Sequence, residues 1–169
     1  MNKLSFIVIF IVFLFVISIT VQAQEKISWI GLGVGLNNLA SFDYPSFYLP
    51  INISAKFRLE PEIWFYRYSE TGNIFEETQT NLSLGLGVFF VVQKEKLDIY
   101  YGTRNGIIFS KTRTWSQTDF YIGPATGAEY YLHERFSLGG EIQLRYVFLG
   151  DDGGAALRIN ALFLIRWYF

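Results

Sequence analysis

The stretch Leu157-Arg158-Ile159-Asn160-Ala161-Leu162-Phe163-Leu164-Ile165-Arg166-Trp167-Tyr168-Phe169 closes the chain and decides its fold. Every odd-numbered position in it is apolar, whereas the even-numbered positions include two arginines and an asparagine. This alternation has a period of two, which is typical of a β-strand with one apolar face. We therefore predict a final strand whose apolar face is unbroken and whose opposite face carries charge.

The same period of two recurs upstream, beginning at residue 27. It is interrupted by long polar stretches at 37–46, 70–80, 110–117 and 150–154, which alternate with short turns at 59–61, 93–96 and 133–135. These breaks delimit eight strands, and an even strand number with long loops at one end is typical of bacterial membrane barrels. The predicted fold is all-β: an eight-stranded antiparallel transmembrane up-and-down β-barrel.

The composition agrees with a chain that meets lipid. Hydrophobic residues make up 51% and charged residues only 17%, against about 25% charged in soluble domains. Beyond the amino terminus, no apolar run approaches the roughly 20 residues of a membrane helix, so the apolar residues must be distributed by alternation. A soluble lipocalin-like barrel is the alternative fold, but it requires the opposite arrangement, with apolar side chains inside.

Several function classes are disfavoured by the bulk properties. The net charge is −1, which supplies no field to attract nucleic acid, so we expect no nucleic-acid partner. The chain has no cysteine, which excludes disulfides, thiolate metal sites and a cysteine nucleophile.

The first 23 residues have the pattern of an export signal. A short basic start with Lys3 precedes an almost wholly apolar run, and Val21-Gln22-Ala23 supplies a small-residue cleavage motif at its end. We predict a signal peptide at residues 1–23, cleaved after Ala23, and a barrel domain at residues 24–169. An uncleaved membrane anchor is the alternative, because the apolar run is long.

The predicted inward faces carry both signs of charge. An eight-stranded barrel is only wide enough for side chains to fill its interior, and buried charges must be paired. We therefore expect an internal salt-bridge network, with a narrow ion path as the alternative. Its predicted members are Lys56, Arg58, Glu62, Asp98, Arg104, Glu129, Glu141, Arg145, Arg158 and Arg166, together with Glu60.

The sequence predicts no catalytic residue, cofactor or metal ligand. The glycine run at 31–35 lacks the lysine and helix of a phosphate-binding loop. Glu129 and Glu141 face inward on adjacent strands, but arginines are their expected partners. His133, the single histidine, lies in a predicted turn, and one histidine makes neither a triad nor a metal site. We expect a protein that is not an enzyme; a lipid-modifying barrel enzyme is a disfavoured alternative, since no histidine lies near the outer rim.

The last seven residues resemble the carboxy-terminal signature of outer-membrane barrel proteins, with Phe163, Ile165, Trp167 and Phe169 on the apolar face. The segments at 122–131 and 136–141 are similar to the small OmpA-like or porin-like barrel domains of Bacteroidetes. The resemblance implies location in the bacterial outer membrane and recognition by the barrel insertion machinery. It also implies a structural, envelope-integrity or surface-interaction role, with a narrow pore or small-solute transport as the alternative.

Aromatic and basic residues near the long loops are the remaining candidates for contacts. The predicted loops contain Phe42, Tyr44, Phe75 and Trp115, which either fold back on the rim or touch a partner or lipopolysaccharide. Near the same rim, Arg67, Lys111 and Arg113 are placed to pair with lipid phosphates. An extracellular or periplasmic protein partner stays open.

Overall fold

A computed structural model of the chain describes residues 29–37, 45–71, 76–150 and 153–169. These residues form nine β-segments and are joined into one antiparallel sheet. The segments are β1 (Gly31–Asn37), β2 (Pro45–Tyr48), β3 (Ile51–Ser54), β4 (Phe57–Thr71), β5 (Glu76–Lys94), β6 (Leu97–Lys111), β7 (Ser116–His133), β8 (Phe136–Phe148) and β9 (Ala155–Tyr168). The predicted signal peptide lies outside the described residues.

The sheet closes on itself as an eight-stranded barrel. β2 and β3 both pair with β4 in a shared register, with Tyr48 opposite Glu62 and Ile51 opposite Leu59, so they are two halves of one barrel strand. Every later strand pairs with its neighbour in the chain, and β9 pairs with β1 to complete the ring. Closure leaves no sheet edge, which a bilayer would not tolerate. The predicted fold class is confirmed.

The first short turn is not where the sequence analysis placed it. The chain reverses at residues 55–56, and the segment predicted as a turn, 59–61, lies inside β4. Pro61 is tolerated inside β4 because it lies opposite the gap between β2 and β3. Its carbonyl accepts a hydrogen bond from the Leu49 amide at 2.9 Å, and proline has no N–H that would need an acceptor on the same side.

The loops are shorter than the polar stretches that predicted them. Between β4 and β5 only residues 72–75 separate the two strands, and between β6 and β7 only residues 112–115 do. The polar residues at 76–80 continue β5, with Thr80 paired between Arg67 and Lys111. Their polarity predicted a loop, but backbone pairing continues through them and does not depend on the polarity of the side chains.

The two faces of the wall have opposite chemistry. Alternate residues of each strand point outward, and large apolar side chains among them are strongly exposed, up to 73% for Ile159. The inward residues include three arginines that are each 1% exposed. This arrangement contradicts the alternative of a soluble lipocalin-like barrel. Among the described residues, no helix is long and apolar enough to cross a membrane.

Candidate functional site: a buried ion-pair network

The charged residues of the interior ion-pair network come from five of the barrel strands. β4 supplies three of them at alternate positions, because residues two apart in a strand share a face. These are Arg58, Glu60 and Glu62 from β4, Asp98 and Arg104 from β6, Glu129 from β7, Glu141 and Arg145 from β8, and Arg166 from β9.

At the short-turn end, Glu129 is the centre of the network. Its carboxylate lies 2.8 Å from Arg58 Nη1 and 3.2 Å from Arg166 Nη1. It also accepts hydrogen bonds from the hydroxyls of Ser137 at 2.5 Å and Tyr168 at 2.6 Å. Four donors therefore surround one fully buried carboxylate, which is the condition under which a charge is tolerated away from water.

In the middle of the barrel, Arg104 and Arg166 share Glu60. Arg166 Nη2 donates to both oxygens of Glu60 at 2.9 Å, and Arg104 Nη2 donates to Oε1 of the same carboxylate at 2.5 Å. Arg104 also binds Glu141 through Nε and Nη2, at 2.5 and 2.8 Å. This two-pronged contact is the geometry that a planar guanidinium makes best with a carboxylate.

Toward the long-loop end, the network continues through Glu62. Its carboxylate lies 3.6 Å from Arg104 Nη1 and 2.9 Å from Arg145 Nη2. At the opposite end, Asp98 lies 3.7 Å from Arg58. The ion pairs are therefore linked without interruption from Asp98 to Arg145, along the length of the interior.

Aromatic side chains fill the space between the ions. The Arg104 guanidinium lies 4.7 Å from the ring centre of Tyr48 and 5.0 Å from that of Phe89. The Tyr100 hydroxyl donates to Glu141 at 3.0 Å, and the Arg166 guanidinium lies 5.2 Å from the Tyr100 ring. Such contacts combine cation–π attraction with the exclusion of water.

Glycines on neighbouring strands make room for these rings. A side-chain carbon added to Gly127 would lie 2.5 Å from the Tyr100 ring, and one on Gly106 would lie 2.6 Å from the Tyr121 hydroxyl. The rings thus lie against bare backbone. The inward glycines therefore provide space for the packing of these rings.

The charges in the network nearly cancel. Its four arginines face five carboxylates, and only Arg145 has more than a few per cent of its side chain exposed, at 13%. An isolated ion in this setting would lose several kcal/mol of solvation. The arrangement can therefore hold the strands in one register and block the interior, and every carboxylate in it already has an arginine partner.

The structure brings together nine of the eleven residues that the sequence assigned to the interior network, and two assignments are wrong. Lys56 lies exposed in the turn at residues 55–56; the turn had been predicted four residues later. Arg158 lies opposite Arg145 across β8 and β9, but it is exposed and forms no ion pair with another described residue. Arg145, its neighbour across the two strands, pairs with Glu62 at 2.9 Å.

The neutral members of the network were not identified from the sequence. Tyr168 and Ser137 bind Glu129, and Gln143 donates to Glu141 at 2.6 Å. Their inward position follows from strand parity, which was the available signal. The partner of each one depends on how the strands stagger around the barrel, and alternation within a strand does not reveal that stagger.

The other predicted residues lie on the surface or outside the described residues. Trp167 and Phe169 point outward and are 49% and 63% exposed, and Phe163 and Ile165 are half-buried on the same face. Trp115 is exposed in the loop at residues 112–115, and His133 is exposed at the end of β7. Phe42, Tyr44 and Phe75 lie outside the described residues. Among the described residues, no three potential metal ligands cluster.

The closed ring, the apolar outer wall and the filled polar interior define the class: the chain has the fold of the small eight-stranded outer-membrane β-barrels. Neisserial surface protein A is similar over 83% of this chain and 93% of its own, with a TM-score of 0.55 and 15% sequence identity. A major outer membrane protein of Thermus thermophilus is similar over 83% of this chain and 97% of its own, with a TM-score of 0.52 and 13% identity.

At these identities the similarity concerns the fold. No protein-family model matches the chain, and no curated protein sequence matches it. The resemblance to outer-membrane barrels is confirmed at the level of architecture, and the resemblance to the Bacteroidetes type stays a prediction.

Proposed function

We propose that the chain is an integral outer-membrane protein with a closed interior, which serves the envelope as a structural or surface-interaction element. This proposal rests on the chemistry of the two faces of the wall, which is the reverse of that in a soluble barrel. Ion pairs fill the inside, and apolar side chains are exposed on the outside. A surface of this kind is stable only against hydrocarbon. The predicted export signal at residues 1–23 and the fold of the similar structures support the outer membrane as the location.

The dimensions of the wall agree with a membrane-spanning role. The six strands from β4 to β9 are 13 to 19 residues long, whereas a tilted strand needs about 9–11 residues to cross the hydrocarbon. Each strand therefore has residues to spare outside the bilayer, where the polar ends of β4, β5 and β6 lie.

The filled interior favours a structural role over transport. Arg58, Arg104 and Arg166 are each 1% exposed, and their carboxylate partners Glu60 and Glu129 are 0% exposed. A solute that passed would have to separate these pairs, at several kcal/mol for each desolvated ion. A narrow pore is the alternative that the following experiment decides.

We expect the purified protein, folded in lipid, to give no single-channel conductance in a planar bilayer. The preparation must first show a heat-dependent shift in gel migration, and the native protein must fractionate with the outer membrane. An open porin in the same bilayer is the positive control. Conductance from the heat-shifted protein would show that the interior is an open pore. Recovery of the protein from the soluble periplasm, without a heat shift, would contradict the membrane role.

A non-enzymatic role is part of the proposal. Glu129 and Glu141 are the inward carboxylates that could perform acid–base chemistry, and arginines bind both of them. His133 is exposed at the short-turn end and accepts a hydrogen bond from the Arg135 amide. Unaltered lipid A in a deletion strain, measured by mass spectrometry, is the expected result; a changed lipid A would indicate an enzyme.

We also propose that the outward face of β9 serves as the signal read by the barrel insertion machinery. Phe169 is 63% exposed, so its ring contributes little to packing within the barrel. We expect Phe169→Ala to lower the amount of protein in the outer membrane severalfold, measured by fractionation and immunoblotting, because recognition and not stability is lost.

The matched control is Phe120→Ala, which removes another outward ring, 44% exposed, from the middle of the chain. Both variants should fold equally well into lipid in vitro. Wild-type amounts of Phe169→Ala in the outer membrane, or an equal loss for Phe120→Ala, would contradict a role for the terminal ring in recognition.

A further inference from the structure

We propose that Arg67, Lys111 and Arg113 form a binding site for the phosphate of an outer-leaflet lipid, on the outer wall at the long-loop end. These three residues are called the basic wall patch. The inference rests on the membrane location proposed above, and it adds a ligand class and a position to it.

The strand register places the patch at the border of the apolar wall. Thr80 pairs with Arg67 on one side and with Lys111 on the other, so these three residues lie in one row across β4, β5 and β6. Two residues nearer the membrane, the same face carries Phe65 and Phe109, which are 56% and 41% exposed. At about 3.3 Å per residue along a strand, Arg67 and Lys111 lie about 7 Å beyond these rings, where the apolar wall gives way to polar side chains.

A recess at this place has the chemistry that a phosphate requires. It has a volume of about 320 Å³ and is lined by Thr78, Thr80, Lys111, Thr112 and Arg113. Ammonium and guanidinium groups supply charge, and the Thr80 hydroxyl supplies a neutral donor. The recess faces away from the interior, because Thr80 and Lys111 share the outward face of the wall.

The loop next to the recess is held in one conformation. The Thr112 amide donates to the Trp115 carbonyl at 2.9 Å, and the Thr112 hydroxyl accepts from the Trp115 amide at 3.2 Å. The backbone at Arg113 is thereby held beside the recess, and Trp115 is left 45% exposed. An exposed tryptophan next to cations is typical of the interfacial region of a bilayer.

The local charge favours an anion. Among the side chains that the structure describes, none pairs ionically with Arg67, Lys111 or Arg113. Three cations without a described ionic partner therefore lie next to the apolar wall.

The test measures lipid binding to the full chain folded in nanodiscs of zwitterionic phosphatidylcholine. The probes are bisphosphorylated lipid A and the same lipid with both phosphates removed, and retention is counted by native mass spectrometry. We expect the wild type to bind the phosphorylated form about tenfold more tightly, since each cation near the surface strengthens attraction to an anionic lipid. The Arg67→Gln/Lys111→Gln/Arg113→Gln variant should lose this preference.

The matched control removes three exposed cations from the other end of the barrel: Lys94→Gln/Lys96→Gln/Arg135→Gln, with the same change in net charge. It should keep the preference. A wild type without preference, an unaffected patch variant or an equal loss in the control would overturn the site. Displacement of the lipid by an excess of inorganic phosphate would overturn its assignment to a lipid.

The heat-shift assay on the same samples separates the two proposals. A wild type that does not shift would refute the membrane role. A wild type that shifts and inserts, but does not distinguish the two lipids, would refute the basic wall patch alone.

Discussion

Replacing Arg104 with leucine is expected to lower the free energy of unfolding of the barrel by about 3–5 kcal/mol, the range observed when one partner of a buried ion pair is removed. Arg104 is 1% exposed and binds two buried carboxylates, Glu60 and Glu141. Without it, Glu141 keeps only the neutral donors Tyr100 and Gln143. The measurement is urea-dependent unfolding in lipid, followed by tryptophan fluorescence and gel migration.

Arg158→Leu is the control for this variant, because Arg158 is an exposed arginine in the same barrel. Its effect should stay within about 0.5 kcal/mol. A double variant, Arg104→Leu with Glu141→Leu, should be more stable than Arg104→Leu alone, because it leaves no unpaired charge at this position while Glu60 keeps Arg166. Equal stability of Arg104→Leu and Arg158→Leu would mean that water reaches the interior and solvates the carboxylates.

The second large effect is expected from Gly102→Ala, which should lower the free energy of unfolding by about 3 kcal/mol, at the upper end for overpacking. A side-chain carbon at this position would overlap the Val88 carbonyl oxygen and lie 2.9 Å from the Phe89 Cα. Both atoms belong to the backbone of the adjacent strand, so no rotamer change relieves the overlap. Unfolding in urea, compared with the wild type, measures the loss.

Gly140→Ala is the matched control, because the nearest atom to a carbon added there is the Leu162 carbonyl oxygen at an ordinary 3.7 Å. This variant should be as stable as the wild type or up to about 1 kcal/mol more stable, since alanine restricts the unfolded chain. If both glycine variants behave alike, the close approach of β5 and β6 at Gly102 does not govern stability.

The sequence predicted the strand number and both faces because alternation is a local property of the chain. The misplaced first turn shows the limit of that signal. A reversal of two residues, at 55–56, leaves Ile53 and Phe57 on the same face, so the alternation runs through it without a break. The turn was predicted at 59–61 because of Pro61. A proline is nevertheless tolerated inside a strand, where its missing N–H costs one ladder hydrogen bond.

The interior network was foreseen as a set of residues but not as pairs. Glu60 of β4 meets Arg166 of β9, 106 residues away, and this contact depends on closure and stagger, which no single strand encodes. The exclusion of Lys56 follows from the turn. Arg158 shares the strand parity of the inward Arg166, but it is exposed and forms no ion pair with another described residue. Both errors arose where a local pattern was used to decide a question of three-dimensional arrangement.

The sharing of Glu60 and Glu129 by arginines from distant strands bears on how the barrel assembles. Arg166 is the last charged residue of the chain, and it is the second cation for both carboxylates. A partly assembled sheet that lacks β9 has each carboxylate matched by a single arginine and two open edges. The final strand therefore completes the backbone pairing and the ion pairing together, which makes assembly cooperative. Both depend on contacts of high sequence separation, and such contacts make folding slow.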